Sequence, residues 1–229
     1  MSKNHLKIQK VPDTWPIKRK DTVFVTRPNP GAHNMNLSVP INVLLRNVLG
    51  KAKTTKEVKK ILHDEEILVD GKRRKDHKYS VGLMDVVSIP KENEHYIVLI
   101  SKQNTLYLEK IEKKDSETKI SRLENKKLLG KDKIQLMMSD GRVIIVKKDE
   151  YKTGDSLVIS LPKQEIKSVL KLENGSTVFL FKGGHVGTVA TVVEIKGNTL
   201  RFKSDLGEFE TRKNTAIVVG KDKPLINIK

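Results

Sequence analysis

The residues of this chain that most clearly suggest a chemical role are lysine and arginine side chains at helical spacing. Lys56, Lys59 and Lys60 fall on one face of a predicted helix, and a run of four basic residues, 72–75, follows an Asp-Gly turn. Cations this closely spaced suit the phosphates of a polyanion. A solvated helix face has the same pattern, so the spacing alone leaves both interpretations open.

Residue types that carry catalysis or metal binding form no recognisable set. The chain has no cysteine, which excludes disulfides, thiol nucleophiles and Cys-ligated zinc or iron–sulfur sites. It also lacks a phosphate loop, a Gly-x-Ser-x-Gly elbow and a dinucleotide fingerprint. We therefore expect no catalytic residue, no metal and no cofactor. The histidines weighed as metal ligands show no ligand spacing; they are His63, His77, His95 and His185.

The charge balance of the whole chain favours a polyanionic partner. The 229 residues include 45 Lys and Arg against 28 Asp and Glu, a net charge of +17. Residues 1–90 hold 18 basic and 9 acidic side chains and residues 91–229 hold 27 and 19, so the excess is not a tail. Aromatic residues make up only 4%, which favours phosphate contacts on structured RNA over base stacking.

Length and hydropathy predict a folded, non-secreted protein. A hydrophobic fraction of 37% in a chain of this size suits one large domain or two to three small ones. No apolar run approaches the roughly 18 to 20 residues of a membrane span, and the first thirty residues lack a signal-peptide core. We therefore expect a cytoplasmic location, no membrane contact and no small-molecule substrate.

Residues 1–40 are predicted to form a basic N-terminal arm. Several prolines and the lack of periodicity predict an extended conformation. The composition predicts disorder in isolation and order on RNA. Trp15 could anchor the arm to the protein or stack on a base, and packing beside Pro16 is the favoured interpretation. The candidate RNA ligands of the arm are Lys18, Arg19 and Lys20.

Two helices leading into a small sheet are predicted next. Apolar spacing predicts a helix over 41–49, with Ser38 as cap and Gly50 as stop. Thr54 and Glu57 form a capping box for a second helix. Its apolar stripe is Val58, Ile61 and Leu62, opposite Lys56, Lys59, Lys60 and His63. A strand at 67–69, a turn at Asp70-Gly71 and a strand at 86–89 complete the unit.

Short β segments dominate the rest of the chain. The charged stretch 110–133 separates them, and its Leu123, Leu128 and Leu129 are compatible with a short helix. Ser139-Asp140-Gly141 is a hairpin signal. The central strands are 96–100, 105–108, 134–138, 143–146 and 156–161. A five-stranded barrel is predicted from 177–181, 187–195, 199–202, 208–211 and 216–219, with turns at Gly183-Gly184, Gly197-Asn198 and Leu206-Gly207.

Residues 41–92 resemble the alpha-L RNA-binding domain shared by bacterial ribosomal protein S4, some RNA-modifying enzymes and certain tRNA synthetases. The resemblance rests on the order of the segments 44–46, 54–62, 67–72 and 81–89. It implies that the second helix and the hairpin face RNA, through Lys56, Lys59, Lys60, Lys72 and Arg73. Together with the neighbouring cations, the candidate RNA-binding residues here are Arg46, Lys51, Lys53, Lys56, Lys59, Lys60, Lys72, Arg73, Arg74 and Lys75.

The glycine pattern near residue 180 resembles a KOW motif, which implies an SH3-like barrel. The pattern consists of Gly175, Val178, Gly183, Gly184, Gly187 and Val189. Gly183 and Gly184 allow a positive φ and a close approach to a phosphate, although a tight turn alone has the same requirement. Val186 stands where a polar residue is expected. The candidate RNA contacts of this loop are Lys182, Gly183, Gly184 and His185.

The combination of these parts resembles the archaeal and eukaryotic ribosomal S4e family, in its shorter archaeal form. Supporting segments are Asn4-His5-Leu6-Lys7, 15–20, 140–142 and 153–155. The resemblance implies an α+β multidomain protein: an arm at 1–40, an alpha-L domain of two helices on a small sheet at 41–92, a β-rich centre at 93–170 and a KOW barrel at 171–229. It further implies a structural constituent of the small ribosomal subunit that binds rRNA beside neighbouring ribosomal proteins, supports assembly and translation, and has no catalytic activity.

Two rival functions fit parts of the pattern. An RNA-modification enzyme would use the alpha-L domain for docking and would need a catalytic acid, for which Asp85, Asp140 and Asp155 are the candidates. A KOW-bearing transcription or elongation factor would bind polymerase instead of rRNA. Activity lost on Asp→Asn would favour the first, and co-purification with polymerase would favour the second.

Overall fold

The computed structural model describes residues 5–64, 66–130, 133–205, 207–221 and 223–225. The chain divides into two compact units, 1–117 and 118–229. Both are rich in β-strands, and helices are few and short. No helix in the described part of the chain has the length and apolar character that crossing a membrane requires.

The segment predicted to be a free arm is packed into the first unit. Strand β1 (Leu6–Lys7) pairs antiparallel with β2 (Phe24–Val25). Trp15 is only 3% exposed, and its Nε1 donates to the carbonyl of Met35 at 3.1 Å. The packing interpretation of Trp15 is confirmed. The expectation of an extended arm is wrong for the described residues, because the indole is buried and the backbone N–H of Leu106 donates to the carbonyl of Thr14 at 2.7 Å, which ties the segment to the rest of the unit. Met1–Asn4, which include the first residue of the Asn4-His5 motif, lie outside the described residues.

The first predicted helix is present, but it starts and winds differently. Strand β3 (Ser38–Pro40) precedes it, so Ser38 is not its cap; the cap is Pro40. The Ser38 hydroxyl instead donates to the carbonyl of Asn34 at 2.9 Å. Helix α1 (Ile41–Val43) continues as a π-helix, Leu44–Val48. Gly50, at φ +64°, ends it as predicted, because glycine adopts this left-handed conformation without strain.

The second predicted helix is confirmed together with its capping box. Helix α2 (Thr55–Asp64) begins where the Thr54 hydroxyl accepts from the backbone N–H of Glu57 at 3.2 Å. The Glu57 carboxylate accepts from the N–H of Lys53 at 2.8 Å and from the Thr54 hydroxyl at 3.0 Å. The bond to the Thr54 hydroxyl satisfies the N–H of Glu57, which the first turn leaves without a partner. Val58 and Leu62 are fully buried on the opposite face.

The first unit also contains a five-stranded sheet. Its order is β5-β4-β7-β8-β9, and β6 pairs separately with β3. Asp70 (φ 52°) and Gly71 (φ 71°) form the predicted tight turn between β4 and β5, as a hairpin with two left-handed residues requires. The predicted boundary at 92/93 falls between two paired strands, β7 and β8. The strands are β4 (Leu68–Val69), β5 (Lys72–Arg73), β6 (Ser80–Gly82), β7 (Val86–Ile89), β8 (Glu94–Ile100) and β9 (Leu106–Ile111).

The second unit starts with a five-stranded antiparallel sheet of order β12-β11-β10-β13-β14. Its longest strand occupies the charged stretch for which a short helix was considered, so that interpretation is wrong. The strand buries Ile120 and Leu123 and pairs with a neighbour on each side, which a local helix could not do. Lys131 and Asp132 lie outside the described residues. The strands are β10 (Thr118–Gly130), β11 (Lys133–Met138), β12 (Val143–Val146), β13 (Ser156–Ser160) and β14 (Ile166–Leu170).

The second sheet of this unit contains the five C-terminal strands predicted from the sequence. Its order is β18-β17-β16-β15-β19, all antiparallel. Phe179 and Phe202 are fully buried in its core. Leu206 of the predicted Leu206-Gly207 turn lies outside the described residues. The strands are β15 (Thr177–Leu180), β16 (Val189–Lys196), β17 (Thr199–Ser204), β18 (Gly207–Arg212) and β19 (Ala216–Gly220).

Candidate nucleic-acid interface

The exposed face of α2 carries three of the predicted RNA ligands. Lys56, Lys59 and Lys60 project into solvent, because residues three and four apart share one face and the opposite face is buried. Within the part of the chain that the structure describes, no carboxylate forms an ion pair with any of the three. Their ammonium groups are therefore available to an external anion.

The β4–β5 hairpin lies against the C-terminal end of this helix. Arg73 Nη2 donates to the backbone carbonyl of His63 at 2.9 Å, and Arg73 Nη1 lies 3.7 Å from a carboxylate oxygen of Glu66. Lys72 and Lys75 are exposed on the same hairpin and its continuation. The fold thus brings together the two clusters that the sequence places a dozen residues apart. We call this combined set the basic surface: Lys56, Lys59, Lys60, Lys72, Arg73 and Lys75.

The positive charge of this region contributes to lowering the pKa of a nearby histidine. The pKa of His77 is lowered, first by its partial burial and then by the charge of Lys59, with a smaller contribution from Lys78. Asp76 opposes this shift. The lowered pKa favours the neutral form of His77. Lys78 was absent from the predicted site, because a single lysine after Asp-His has no helical or strand period that would single it out.

Some predicted ligands already have partners within the protein. Lys51 forms ion pairs with Glu92 and with Glu94, whose Oε2 lies 2.7 Å away. Burial opposes the charge on Lys51, but its hydrogen bonds to the two carboxylates raise its pKa. The hydrogen bond from Lys51, followed by that from Tyr96, lowers the pKa of Glu94 to about 2. Lys51 therefore joins the end of α1 to the start of β8.

Other predicted cations are held more loosely. Arg19 pairs with Asp13 on the surface. Arg46 donates from Nε to the side chain of Asn47 at 3.1 Å. The guanidinium of Arg74 lies 4.3 Å from the ring centroid of Tyr79, at cation–π distance. The exposed contact of Arg19 is weak enough to exchange for a phosphate, whereas Arg46 and Arg74 are half-buried. Lys18, Lys20 and Lys53 are exposed.

The predicted contact loop of the second unit connects β15 to β16. Lys182, Gly183 and Gly184 are exposed, and Gly183 has a φ of +95°. His185 stacks on Phe209, with ring centroids 4.3 Å apart, so the loop is anchored at that residue. Val186 is buried, which explains an apolar residue where the sequence pattern predicts a polar one.

The three carboxylates considered as catalytic acids have structural partners instead. Asp85 accepts from the N–H of Gly82 at 2.8 Å and lies 3.0 Å from Nε2 of His33. Asp155 accepts from two backbone N–H groups at 2.9 and 3.0 Å. Asp140 lies 3.0 Å from Nζ of Lys119. All three are buried, so their positions favour stabilisation of turns over catalysis. Within the described residues, no group of three or more metal-ligating side chains occurs.

The Lys119 pair is a feature that sequence reasoning missed. Lys119 is 1% exposed in β10, and Asp140 also lies 3.2 Å from Nε of Arg142. A buried lysine is rare unless it is paired. In the sequence it resembles any other residue of a charged stretch, because its partner is 21 residues away.

Two family profiles match the chain. Residues 92–166 match the profile described as Ribosomal family S4e, and residues 2–36 match the RS4NT (NUC023) domain. Proteins named small ribosomal subunit protein eS4 match almost the whole chain. That of Methanosphaera stadtmanae is 39% identical over 99% of this chain and 96% of its own length. The protein of that name from Methanocella arvoryzae is 40% identical over 99% of this chain and 98% of its own length.

A solved structure is similar as well. The crystal structure of the 30S ribosomal protein S4e from Thermoplasma acidophilum superposes with a TM-score of 0.71 at 30% sequence identity. The match covers 81% of this chain and 96% of that chain. Sequence similarity to the eS4 proteins therefore spans almost the whole chain, and similarity of fold to the solved structure spans 81% of it.

Proposed function

The chain belongs to the ribosomal S4e family, and from this premise we propose that it is a structural constituent of the small ribosomal subunit that binds rRNA. Its role is to support subunit assembly and translation, not catalysis. Its partners are small-subunit rRNA and neighbouring ribosomal proteins, and its working location is the cytoplasmic ribosome. The full-length similarity to proteins named small ribosomal subunit protein eS4 supports this assignment.

We further propose the finer layout that the sequence predicts. Residues 41–92 act as an alpha-L RNA-binding domain, residues 93–170 as a β-rich centre and residues 171–229 as an SH3-like KOW barrel. Two helices against a small antiparallel sheet support the first assignment. Five consecutive antiparallel strands with glycine turns support the last.

The single observation that carries the rRNA proposal is the basic surface. Its three helix lysines lie on a face without carboxylate partners in the described residues, and Arg73 joins the hairpin to that helix. Each lysine that neutralises a phosphate releases a condensed counterion, so affinity is chiefly electrostatic and falls with salt. Because Arg73 is held by the carbonyl of His63, its guanidinium keeps its position without RNA.

The loop Lys182–His185 supplies the proposed contact of the second unit. Gly183 and Gly184 carry no side chain, so their backbone N–H groups can approach a phosphate closely. Lys182 adds an exposed positive charge beside them, with its Nζ 5.4 Å from the ring centroid of Phe181. His185 is packed against Phe209 and therefore acts as an anchor of the loop.

Sedimentation of cell lysate tests the assignment directly. The protein should co-sediment with small subunits at about one copy per particle and should remain there after a moderate salt wash. Recovery mainly in the free fractions would refute a structural ribosomal role. Recovery with RNA polymerase would replace it by the KOW transcription-factor alternative.

A further inference from the structure

One edge of the first sheet in the second unit is unprotected. Strand β12 (Val143–Val146) is the last strand in the order β12-β11-β10-β13-β14, and β11 is its only partner among the described strands. Its sequence is Val-Ile-Ile-Val, so it contains neither a proline nor a charged side chain. Natural proteins use such residues to keep further strands from pairing with the edge of a sheet. Strand β14, at the opposite edge, carries the exposed Lys167.

The backbone of β12 presents hydrogen-bonding groups on its outer side. The N–H of Met138 donates to the carbonyl of Arg142 at 2.9 Å, which closes the hairpin between β11 and β12. Along an antiparallel pair, successive residues face the neighbouring strand alternately. The N–H and C=O groups of Val143 and Ile145 therefore point away from β11, and the described part of the chain supplies no other partner for them. An extended polypeptide has groups at the spacing that would satisfy them.

The side chains of the same two residues form an exposed apolar face. Val143 is 50% exposed and Ile145 is 59% exposed. Side chains two residues apart in a strand point to the same side of the sheet. The half-buried Met137 lies opposite Val143 on β11 and extends this face. An added strand with apolar side chains at every second position would cover it.

Exposed lysines lie at one end of this face. Lys127 is in register with Gln135, which is in register with Ile145, so all three share one side of the sheet. Lys133 precedes Gln135 by two residues and lies on the same side, and Lys147 directly follows β12. No carboxylate in the described ranges forms an ion pair with any of these lysines. Their charge favours an acidic partner.

We propose that β12 binds an extended acidic segment of another protein as an additional antiparallel strand. The segment bonds the backbone of Val143 and Ile145, packs alternate apolar side chains on both, and places carboxylates near Lys127, Lys133 and Lys147. The inference rests on the proposed function only in taking a neighbouring ribosomal protein as the source of the segment. A second copy of this chain is disfavoured because each copy has a net charge of +17. RNA could meet the lysines but has no backbone groups at the spacing of a strand.

A synthetic peptide added to the full ¹⁵N-labelled chain tests the edge. The probe is acetyl-Glu-Glu-Thr-Val-Thr-Ile-Thr-amide, whose valine stands opposite Ile145, whose isoleucine stands opposite Val143 and whose second glutamate stands opposite Lys147. The N–H signals of Val143 and Ile145 should shift until they saturate, and hydrogen exchange of these two groups should slow. Absence of a saturable shift would overturn the proposal.

Two altered peptides separate the backbone bonds from the charge. N-methylation of the valine and isoleucine removes two donors and keeps both side chains, so affinity should fall about tenfold or more. Lysines in place of the two glutamates should weaken binding about threefold to tenfold. Equal affinity of the N-methylated peptide would refute strand addition, and equal affinity of the lysine peptide would refute an acidic partner.

A pair of threonine variants tests the apolar contact. Ile145→Thr keeps a β-branched residue at an exposed position, so the melting temperature should stay nearly unchanged while peptide affinity falls about threefold to tenfold. Val193→Thr is the matched control, because Val193 is 40% exposed on β16, a strand with neighbours on both sides. It should leave affinity unchanged. Unchanged affinity in Ile145→Thr, or an equal loss in both variants, would refute the contact.

Hydrogen exchange in assembled particles tests the source of the segment. Residues 143–147 should exchange more slowly in isolated small subunits than in a complex of this protein with an rRNA fragment. Equal slowing by the fragment would assign the edge to RNA, and slowing that rises with the concentration of the free protein would assign it to a second copy. Either result would overturn the proposal, and fast exchange in the subunit would overturn the ribosomal source.

The basic surface distinguishes failure of this site from failure of the proposed function. The variant K56Q/K59Q/K60Q should weaken binding of the rRNA fragment and leave peptide affinity unchanged. If the peptide does not bind while this variant still weakens rRNA binding, only the edge proposal fails. If the peptide binds and the rRNA fragment does not, the proposed rRNA binding fails and the edge proposal stands.

Discussion

Neutralising the lysines of α2 tests the electrostatic basis of rRNA binding. In K56Q/K59Q/K60Q the three exposed cations become neutral and the helix is preserved, because glutamine and lysine have similar helix propensity. The capping box and the buried Val58 and Leu62 are untouched. Any loss of affinity then reports on charge and not on folding.

The size of the effect follows from the number of cations removed. Each phosphate contact contributes about 0.7 to 0.9 to the slope of log affinity against log salt, so three contacts contribute about 2.1 to 2.7. Between 50 and 200 mM salt, the affinity of the parent protein should fall about 20- to 40-fold more than that of the variant.

The assay is a salt series of binding isotherms with a small-subunit rRNA fragment. The matched control is K102Q/K113Q/K114Q, which removes three exposed lysines of the same unit outside the basic surface. Both variants lower the net charge from +17 to +14. Only the α2 variant should lose slope.

Two results would refute this reasoning. An unchanged slope in the α2 variant would mean that these lysines do not neutralise phosphates. Equal loss of slope in both variants would mean that binding depends on total charge and not on the arrangement that the fold creates.

Three further predictions concern stability. The pKa of Glu94 is lowered from 4.5 to about 2, so the carboxylate stabilises the folded protein fully above pH 4.5, and this stabilisation is lost as the pH falls toward 2. In urea unfolding at different pH values, E94Q should remove this part of the pH dependence. Lys119→Met should lower the free energy of unfolding by about 3 kcal/mol, because it removes a partner of the buried Asp140 carboxylate. Lys119→Met/Asp140→Asn should restore part of the loss, because no unpaired carboxylate remains buried and the amide oxygen still accepts from Arg142. Trp15→Ala should lower the free energy of unfolding by about 3 to 5 kcal/mol and should abolish hydrogen-exchange protection of residues 6–25 in the free protein. If the parent protein shows no such protection, the segment is an unpacked arm.

Local sequence signals predicted the elements that depend on neighbouring residues. The capping box at Thr54, the Asp70-Gly71 turn and the five C-terminal strands are present in the structure. Each is determined within a few residues by a hydrogen bond, a backbone conformation or a hairpin connection. Such signals are visible without knowledge of the remaining chain.

Elements that depend on distant partners were predicted incorrectly. Ser38 is part of a strand because it pairs opposite Gly82, 44 residues away. The charged stretch around Leu123 is a strand because it has a partner on each side. The N-terminal segment is packed because the backbone N–H of Leu106, 92 residues away, donates to the carbonyl of Thr14. None of these contacts leaves a periodic trace in the local sequence.

The sequence by itself determined the preference for a polyanion, because net charge and the helical spacing of cations do not depend on how the chain folds. Only the tertiary structure decided which cations remain available. Lys51 is paired with Glu92, 41 residues away, whereas the α2 lysines are not paired with any described carboxylate. Ion pairs form between groups that are close in space, and residues this far apart in sequence meet only through the fold.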